Sequence, residues 1–552
     1  MPSLTADAVV IGAGPNGLVA ANLLADAGWD VLVLEAQPEP GGAVRSAEVT
    51  APGFSSDLFS AFYPLGLASP VLKGLELERH GLRWCHSPHV LAHPLPDGRA
   101  VVLDRDLEQT ARSVEAFGRG DGAAWERLAQ EWQRLSPALL DALFTPFPPV
   151  RSGARLLRTL GGADALRSAR FAVLSMRRFA GEEFAGQGAP LLFAGNALHT
   201  DLAPESPGSA IFGWLLAMLG QDVGFPAPEG GAGQLTAALV SRMTVGGARL
   251  ECGARVDRVD VRGGRAVGVR LADGRTVAAR RAVLADVTAP QLYRDLVGSE
   301  HLPARLLDDL DRFQWDNATV KVDWALSGPI PWRADGVAGA GTVHLGGELD
   351  DLSRFAHALD VGQIPAEPFL LLGQMTTTDP RRSPAGTESA WGYTHVPRRP
   401  RGDVAGELSG DWTNPGERER FLDRLERRVE EYAPGFRDLV VGRHLAFPGD
   451  LQSADANLDD GAINGGSAAI HQQLFFRPTP SLGRPETPIA GLYLASSSAH
   501  PGGGVHGACG SNAARAALRA RTTGRVALAV TRALTGGAPP VPAAAVSPRS
   551  GS

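Results

Sequence analysis

Cysteine is nearly absent: Cys85, Cys252 and Cys509 are the only three, and they stand far apart. There is no C-x-x-C pair and no Cys/His spacing for a metal. That excludes a dithiol–disulfide reductase and predicts no metal site. No dense Lys/Arg run occurs, and a formal net charge of -7 with a pI near 6.0 argues against nucleic acid as a partner. No uninterrupted apolar stretch reaches the ~18–20 residues that a transmembrane helix needs. The first strand pattern opens close to Met1, leaving no room for a signal peptide. These absences predict a cytoplasmic protein, with peripheral contact at a membrane surface at most. What remains is ordinary globular composition, 44% hydrophobic and 20% charged, in a chain long enough for more than one domain.

Against that background one stretch stands out. The apolar run Ala8-Val9-Val10-Ile11 meets Gly12, Gly14 and Gly17 in the G-x-G-x-x-G spacing, then opens into a helical pattern that stops at Gly28. A second apolar run, Val31 to Leu34, ends in Glu35, 18 positions past Gly17. Gly12 permits the tight turn, Gly14 lets backbone approach a pyrophosphate, and Gly17 lets helix pack on strand. Pro15 and Asn16 open the helix whose N-terminus attracts phosphate, and Glu35 can accept a hydrogen bond from a ribose hydroxyl. The complete strand–loop–helix–strand–acid order defines a dinucleotide site, where a lone glycine triplet in a chain of 67 glycines would not. Gly41-Gly42 and Arg45 follow, which suits a loop whose backbone lies against the cofactor. The pattern Glu35-x5-Gly41-Gly42-x2-Arg45 resembles the FAD flavoproteins of the amine oxidase and phytoene desaturase superfamily, and that resemblance favours FAD.

Further on, Asp97-Gly98-Arg99 predicts a hairpin turn, and Leu107 to Leu143 shows helical spacing with Trp125, Leu128, Trp132 and Leu135 on one face. Ala210 to Leu219 is a dense apolar helix, too short for a bilayer; periodicity favours core over a tunnel wall. Arg281 to Asp286 reads as a parallel strand returning to the nucleotide domain, and Val256 falls where backbone can meet an adenine. On the charged helix Glu417 to Tyr432, the residues Glu417, Arg420, Asp423, Arg424, Arg427 and Glu431 read as a solvated face with i,i+4 pairing. Near the C-terminus a strand, Leu492 to Ala495, enters Ser496-Ser497-Ser498-Ala499-His500-Pro501-Gly502-Gly503-Gly504-Val505-His506-Gly507, with a helix from about Asn512. Gly502, Gly504 and Gly507 repeat the glycine spacing, but no acid follows. The loop is therefore read as backbone lying beside a flavin ring, not as a second nucleotide fold. Residues 536–552, rich in Gly, Pro, Ala and Ser, read as a disordered tail.

On Val10 to Ala21, Gly41-Gly42, Pro207-Gly208-Ser209, Pro228-Glu229-Gly230-Gly231 and His500 to Gly504, nearly the whole chain resembles the carotenoid (phytoene) desaturase-like FAD flavoproteins. That family includes desaturase-type β-carotene ketolases and the pyridine nucleotide-disulfide oxidoreductase domain-containing protein 2 group. The resemblance implies an α/β fold: a Rossmann-type, glutathione-reductase-like FAD-binding domain (1–90, 226–297 and 451–535) interleaved with an α+β substrate domain (91–225 and 298–450). It also implies non-covalent FAD, hydride removal from an apolar, isoprenoid or polyene substrate, and reoxidation by oxygen or a quinone. The sequence departs from the family in having no acid at Ser496 to Ser498 and in placing Cys509 and two histidines in the loop. The cofactor set is then Gly12, Gly14, Pro15, Asn16, Gly17, Glu35, Gly41, Gly42, Arg45, Val256, Ser497, Gly503, Gly504 and Val505. His500 and His506 are the candidates for proton transfer beside the flavin; a structural role, bonded to backbone, is the simpler reading. Nothing in the sequence selects among His199, His344, His395 and His471. Two other functions fit the same motifs: a flavin amine or tailoring oxidase on a small polar molecule, and a flavoprotein that has lost turnover.

Overall fold

The computed structural model describes residues 4–523, apart from 482, so the stretch 536–552 lies outside the described residues. Two seven-stranded sheets organise the chain. The first is built on Leu4–Ile11, which pairs in parallel with Val31–Leu34 on one side and Thr276–Ala285 on the other, Val9 lying opposite both Leu32 and Val283. Such a strand is buried on both faces, which is why Ala8 to Ile11 is a continuous apolar run. Ala8 and Val10 face the helix side; Val9 and Ile11 face the hairpin side. The strand Thr276–Ala285 has two jobs: its first half closes an antiparallel pair with Arg265–Leu271, and its end receives Leu492–Leu494 in parallel. The carboxyl ends of four strands, at Ile11, Leu34, Ala285 and Leu494, thus meet at one crevice.

The second sheet runs in the order Val440–Ala446, Ala318–Leu326, Glu388–Val396, Leu370–Gln374, Ala340–Leu345, His89–Pro94, Ala100–Leu103. Its two faces differ in kind. Val320, Val322 and Trp324 point to an apolar core shared with Phe421, Leu425 and Val429 of the helix Pro415–Tyr432. The opposite face carries Lys321, Tyr393, His395 and His344. Above that face lies a helical layer, Asp121–Leu143, Gly188–Leu198 and Ser209–Val223, centred on Trp125 stacked on Phe193 at 5.0 Å.

Two expectations are corrected by the structure. On the helix Pro415–Tyr432, Arg420, Asp423, Arg427 and Glu431 are solvated, but Glu417 and Arg424 are buried. Glu417 accepts the amides of Ser409, Gly410 and Asp411, and Arg424 grips Asp403 with both terminal nitrogens at 2.7 and 2.8 Å. A loop packed over the helix needs its backbone donors satisfied: Glu417 accepts them directly, and Arg424 holds Asp403, which accepts the amides of Glu407 and Leu408. The C-terminal helix starts at Ala508 and not near Asn512, because the imidazole of His506 accepts the Ala508 amide at 3.0 Å and so caps the first turn. Among the described residues no helix is long and apolar enough to cross a membrane.

The buried pair supplies a stability test. Arg424→Ala leaves the buried Asp403 carboxylate without a counter-charge, with an expected loss of about 3–5 kcal/mol in denaturant unfolding. Arg427→Ala on the solvated face should stay within about 0.5 kcal/mol of the parent. Equal effects for the two would contradict this assignment.

Candidate functional site

The glycine fingerprint folds as strand, turn and helix. Gly12 takes φ +92°, which a side chain would strain, and donates to Leu34 O at 2.8 Å. Gly14 caps the helix Pro15–Asp26, with Pro15 at its first position. The Glu35 carboxylate accepts the amides of Ala13 at 2.7 Å and Gln37 at 2.8 Å, which fixes it at the end of the second strand. Gly41 donates to Ala13 O, and Gly42 lies so close that a Cβ placed on it would stand 3.2 Å from Gly14 Cα. Arg45 donates to Gly42 O and Ala454 O while its guanidinium covers Phe59. Val256 opens its strand two residues past Ala254, whose amide bonds Glu35 O. The structure therefore brings the N-terminal candidates to one crevice lined by backbone.

Sequence reasoning assigned no role to Asp286 or Asp455. Asp286 follows the Thr276–Ala285 strand directly, and its Oδ2 accepts the Gly17 amide at 2.7 Å, inside the first turn of the helix. Burial drives this carboxyl up to about 7; the Gly17 amide opposes the shift, and Asp455 and Glu35 add to it. Asp455 is likewise raised, chiefly by burial, and its Oδ2 stands 3.2 Å from the Cβ position of Gly42.

The C-terminal loop closes the crevice. Its anchor is Arg477, fully buried, which donates to the carbonyls of Asn464, Gly466, Ser467 and Ser497. Burial lowers its pKa to about 10, which leaves it charged at neutral pH. A Cβ on Gly503 would meet Asn464 Oδ1 at 2.8 Å, one on Gly504 would meet Leu65, and Val505 O stands 2.9 Å from the Cβ position of Gly66. His500 sits 3.1 Å from Thr145 O through Nε2, and His506 accepts the Ala508 amide on Nδ1. The second bond fixes a neutral tautomer with the proton on Nε2. Burial takes both rings down to about 4. Their other nitrogens, with Asn464 Nδ2 and the Asn512 amide, are buried without a partner in the protein. Buried orphans of this kind call for a polar group to satisfy them, and a flavin ring edge supplies donors and acceptors. FAD fits: the fingerprint helix would hold its pyrophosphate, Glu35 its ribose, and the Ser497–Val505 loop its ring.

Two further features lay beyond sequence reasoning. Lys321, one of only two lysines with Lys73, is buried in the second sheet and paired with Asp323. A cation inside the apolar run Ala318-Thr319-Val320-Lys321-Val322 was a visible signal. Arg477, between two phenylalanines and a proline, gave none.

A Rossmann crevice with a ribose acid and a second glycine loop over it defines an FAD-dependent oxidoreductase. Residues 16–350 match the family described as flavin containing amine oxidoreductase, and the chain belongs to it. Over 93% of both chains it is 30% identical to the mouse (Mus musculus) pyridine nucleotide-disulfide oxidoreductase domain-containing protein 2. It is 28% identical to a lycopene-forming phytoene desaturase of Pseudescherichia vulneris, over 92% of this chain and 98% of that one. An oxidoreductase from Methanosarcina mazei shares the fold, with a TM-score of 0.61 at 17% identity over 94% of this chain and all of that one.

Asp286 gives a pH test. Its folded pKa near 7 lies above the unfolded value of 3.8, so ionisation is disfavoured in the fold. Its contribution is intact at low pH and is lost as pH rises through that window. Asp286→Asn is expected to raise the melting temperature of the apoprotein near pH 8 and to change it little near pH 4. The same increment at both pH values would refute the assignment.

Proposed function

We propose that this oxidoreductase acts on an apolar, isoprenoid-like substrate held between the glycine loop and the second sheet. The observation that carries this reading is a continuous apolar wall. Leu65 touches the Gly504 position; Phe62 lies 6.0 Å from Trp391, which stacks on Tyr393 at 5.8 Å. Ile211, Phe212, Leu215 and Leu216 extend it as a partly accessible face of the helix Ser209–Val223, whose other face is core. Bound FAD supplies hydride acceptance. The protein's part is to hold the substrate carbon against the ring, exclude water and keep the loop rigid. His500 and His506, neutral and tied to backbone, serve orientation. Amine oxidation, after which the family is described, is the competing reading, and the aromatic pair Trp391–Tyr393 would suit it. In either case oxygen or a quinone takes the electrons.

The test is anaerobic bleaching of the holoenzyme. The protein should be yellow, release FAD on acid denaturation, and lose flavin absorbance with polyene or terpene substrates but not with diamines. Bleaching by amines alone would replace this reading. Gly503→Val is expected to abolish FAD retention by crowding the loop, and His506→Ala to keep FAD and to slow reduction by less than the ~10²-fold of a lost acid or base.

An apolar substrate also needs a route in. The helical segment Val150–Val173, broken at Gly161, exposes Val150 and Leu157 before the break and Leu166 and Val173 after it, beside Arg151, Arg155, Arg158, Arg167 and Arg170. Leu474, Phe475 and Phe476 are exposed too, Phe475 lying 5.4 Å from Phe147 at the foot of that helix. Apolar and basic groups together suit the surface of an anionic bilayer. Vesicles containing phosphatidylserine should sediment the protein, and Arg155→Glu with Arg158→Glu should release it; equal binding of both would remove the membrane from this account.

A further inference from the structure

The inward face of the second sheet holds a cluster of titratable groups that the cofactor does not explain. Strand register sets Thr319 opposite His395, Lys321 opposite Tyr393, and His344 in the next strands along the same face. From above, the helix Gly188–Leu198 ends at His199. Gly195 in that helix must be glycine for His344 to fit, since a Cβ there would stand 2.2 Å from His344 Nδ1. His199 and His344 meet Nε2 to Nε2 at 3.0 Å. His395 Nε2 faces Asp201 Oδ1 at 3.4 Å, and Asp201 is held at φ +61°, an uncommon conformation for a residue with a side chain.

These groups are poorly satisfied by the protein itself. His344 Nδ1 and Asn196 Oδ1 are buried without a hydrogen-bond partner, and His395 Nε2 and Asp201 Oδ1 have only each other, at 3.4 Å. Native structures pair nearly all such atoms, so this set requires an explanation. His199 and Tyr393 remain partly accessible, yet burial lowers His199 to about 3 and raises Tyr393 above its ordinary range. His199 and Tyr393 are therefore members of this cluster that a bound molecule can reach. Among the described residues no group of His, Cys, Asp or Glu is arranged to hold a metal ion.

The cluster also lies on the cofactor's side of the sheet. Asp201 accepts the Asn317 amide, and neighbouring Asp316 accepts the amides of Ile463, Asn464 and Gly466. Asn464 is the residue that Gly503 abuts. One short stretch therefore ties the histidines to the loop that would hold the flavin ring.

We propose that His199, His344, His395 and Asp201 form a polar anchor that takes a hydroxyl or carbonyl oxygen at one end of an otherwise apolar substrate. The inference rests on the apolar-substrate reading above and adds a substrate class to it. The chemistry favours a neutral oxygen. In a pair of neutral imidazoles bonded Nε2 to Nε2, one Nδ1 carries a proton and the other does not. His344 Nδ1 is packed against Gly195, so the partly accessible His199 ring presents the nitrogen that meets the substrate, as donor or acceptor according to the tautomer. His199 and His344 are uncharged at neutral pH, both taken well below their ordinary value by burial, so neither offers a cation to an anion. The other charges on this face, Lys321 and Asp323, are already paired, and Asp323 also faces His444 at 3.6 Å.

The probes are geraniol and myrcene, ten-carbon isoprenoids with and without a hydroxyl, titrated into the holoenzyme under anaerobic conditions by flavin absorbance and by equilibrium dialysis. The quantity read is the ratio of the myrcene Kd to the geraniol Kd, in which the cost of leaving water cancels between variants. His199→Leu should lower that ratio by about tenfold or more, and His199→Gln, which keeps a donor and an acceptor, should restore most of it. A ratio unchanged within twofold in His199→Leu, or failure of the parent to bind geraniol, would overturn the proposal. If His199→Leu loses FAD, Asp201→Asn serves as second variant: it should shift the ratio at least threefold, and an unchanged ratio also overturns the proposal. FAD content and myrcene binding report separately on the underlying reading: myrcene bound without discrimination sinks the anchor alone, and amine-only bleaching sinks both.

Discussion

The three fingerprint glycines all face a single residue, and much of the architecture follows from that contact. A side chain on Gly12 would meet Asp286 O, and one on Gly14 would meet Asp286 Oδ2, each at 2.8 Å; one on Gly17 would meet Gly12 O at 2.2 Å. The Gly17 amide gives its hydrogen bond to the same carboxylate. A motif usually credited to close approach of a dinucleotide is here required by the protein's own third strand as well. Through it the first βα unit is tied to a strand end some 270 residues later in the chain. The helix N-terminus stabilises the carboxylate, burial opposes it, and Glu35 and Asp455 add like charge. The crevice is therefore built to manage negative charge before any phosphate arrives.

Opposite this crevice the second sheet solves a different problem. One face is apolar and seated on the helix Pro415–Tyr432; the other, turned inward, mixes apolar residues such as Leu371 and Trp391 with buried charges and imidazoles, a costly arrangement unless something satisfies them. Part of the answer is internal, in the Lys321–Asp323 pair and in Arg477 with its four carbonyls. Arg477 and Asp316 work as opposites: one gathers carbonyls and the other gathers amides from the same 463–467 stretch. Between them they hold the glycine loop at a fixed distance from the sheet. Hydride transfer depends on such fixed distance more than on any acid or base.

Legibility in the sequence followed locality. The strand–turn–helix of Ala8 to Gly28 and the turn at Asp97-Gly98 are determined by residues within a few positions of one another, and each formed where the pattern placed it. The charged helix was read correctly as a helix, yet Glu417 and Arg424 were misassigned, because what buries them is a loop from elsewhere in the chain. The same limit hid Asp286 and Arg477, whose partners are far away in sequence. His199, His344 and His395 belong to a helix end and two strands spread over almost 200 residues; only strand register and helix placement make them neighbours.

The apolar helix Ser209–Val223 shows where pattern reasoning ends. Composition alone makes it core, and Trp214 and Met218 do lie in core. Its other face, through Ile211 and Leu215, keeps accessible surface while surrounded by further apolar groups. A helix in a single core would hide both faces, so half of this one is free to border a substrate. The proposed substrate space is apolar along Phe62 and Trp391 and polar along His199 and Asp201. That asymmetry gives a bound molecule a direction. A uniformly greasy chamber would let a long hydrocarbon slide, presenting successive carbons to the flavin. A chamber with one polar end fixes the register, and the position of the oxidised bond is then set by the distance from that end to the glycine loop.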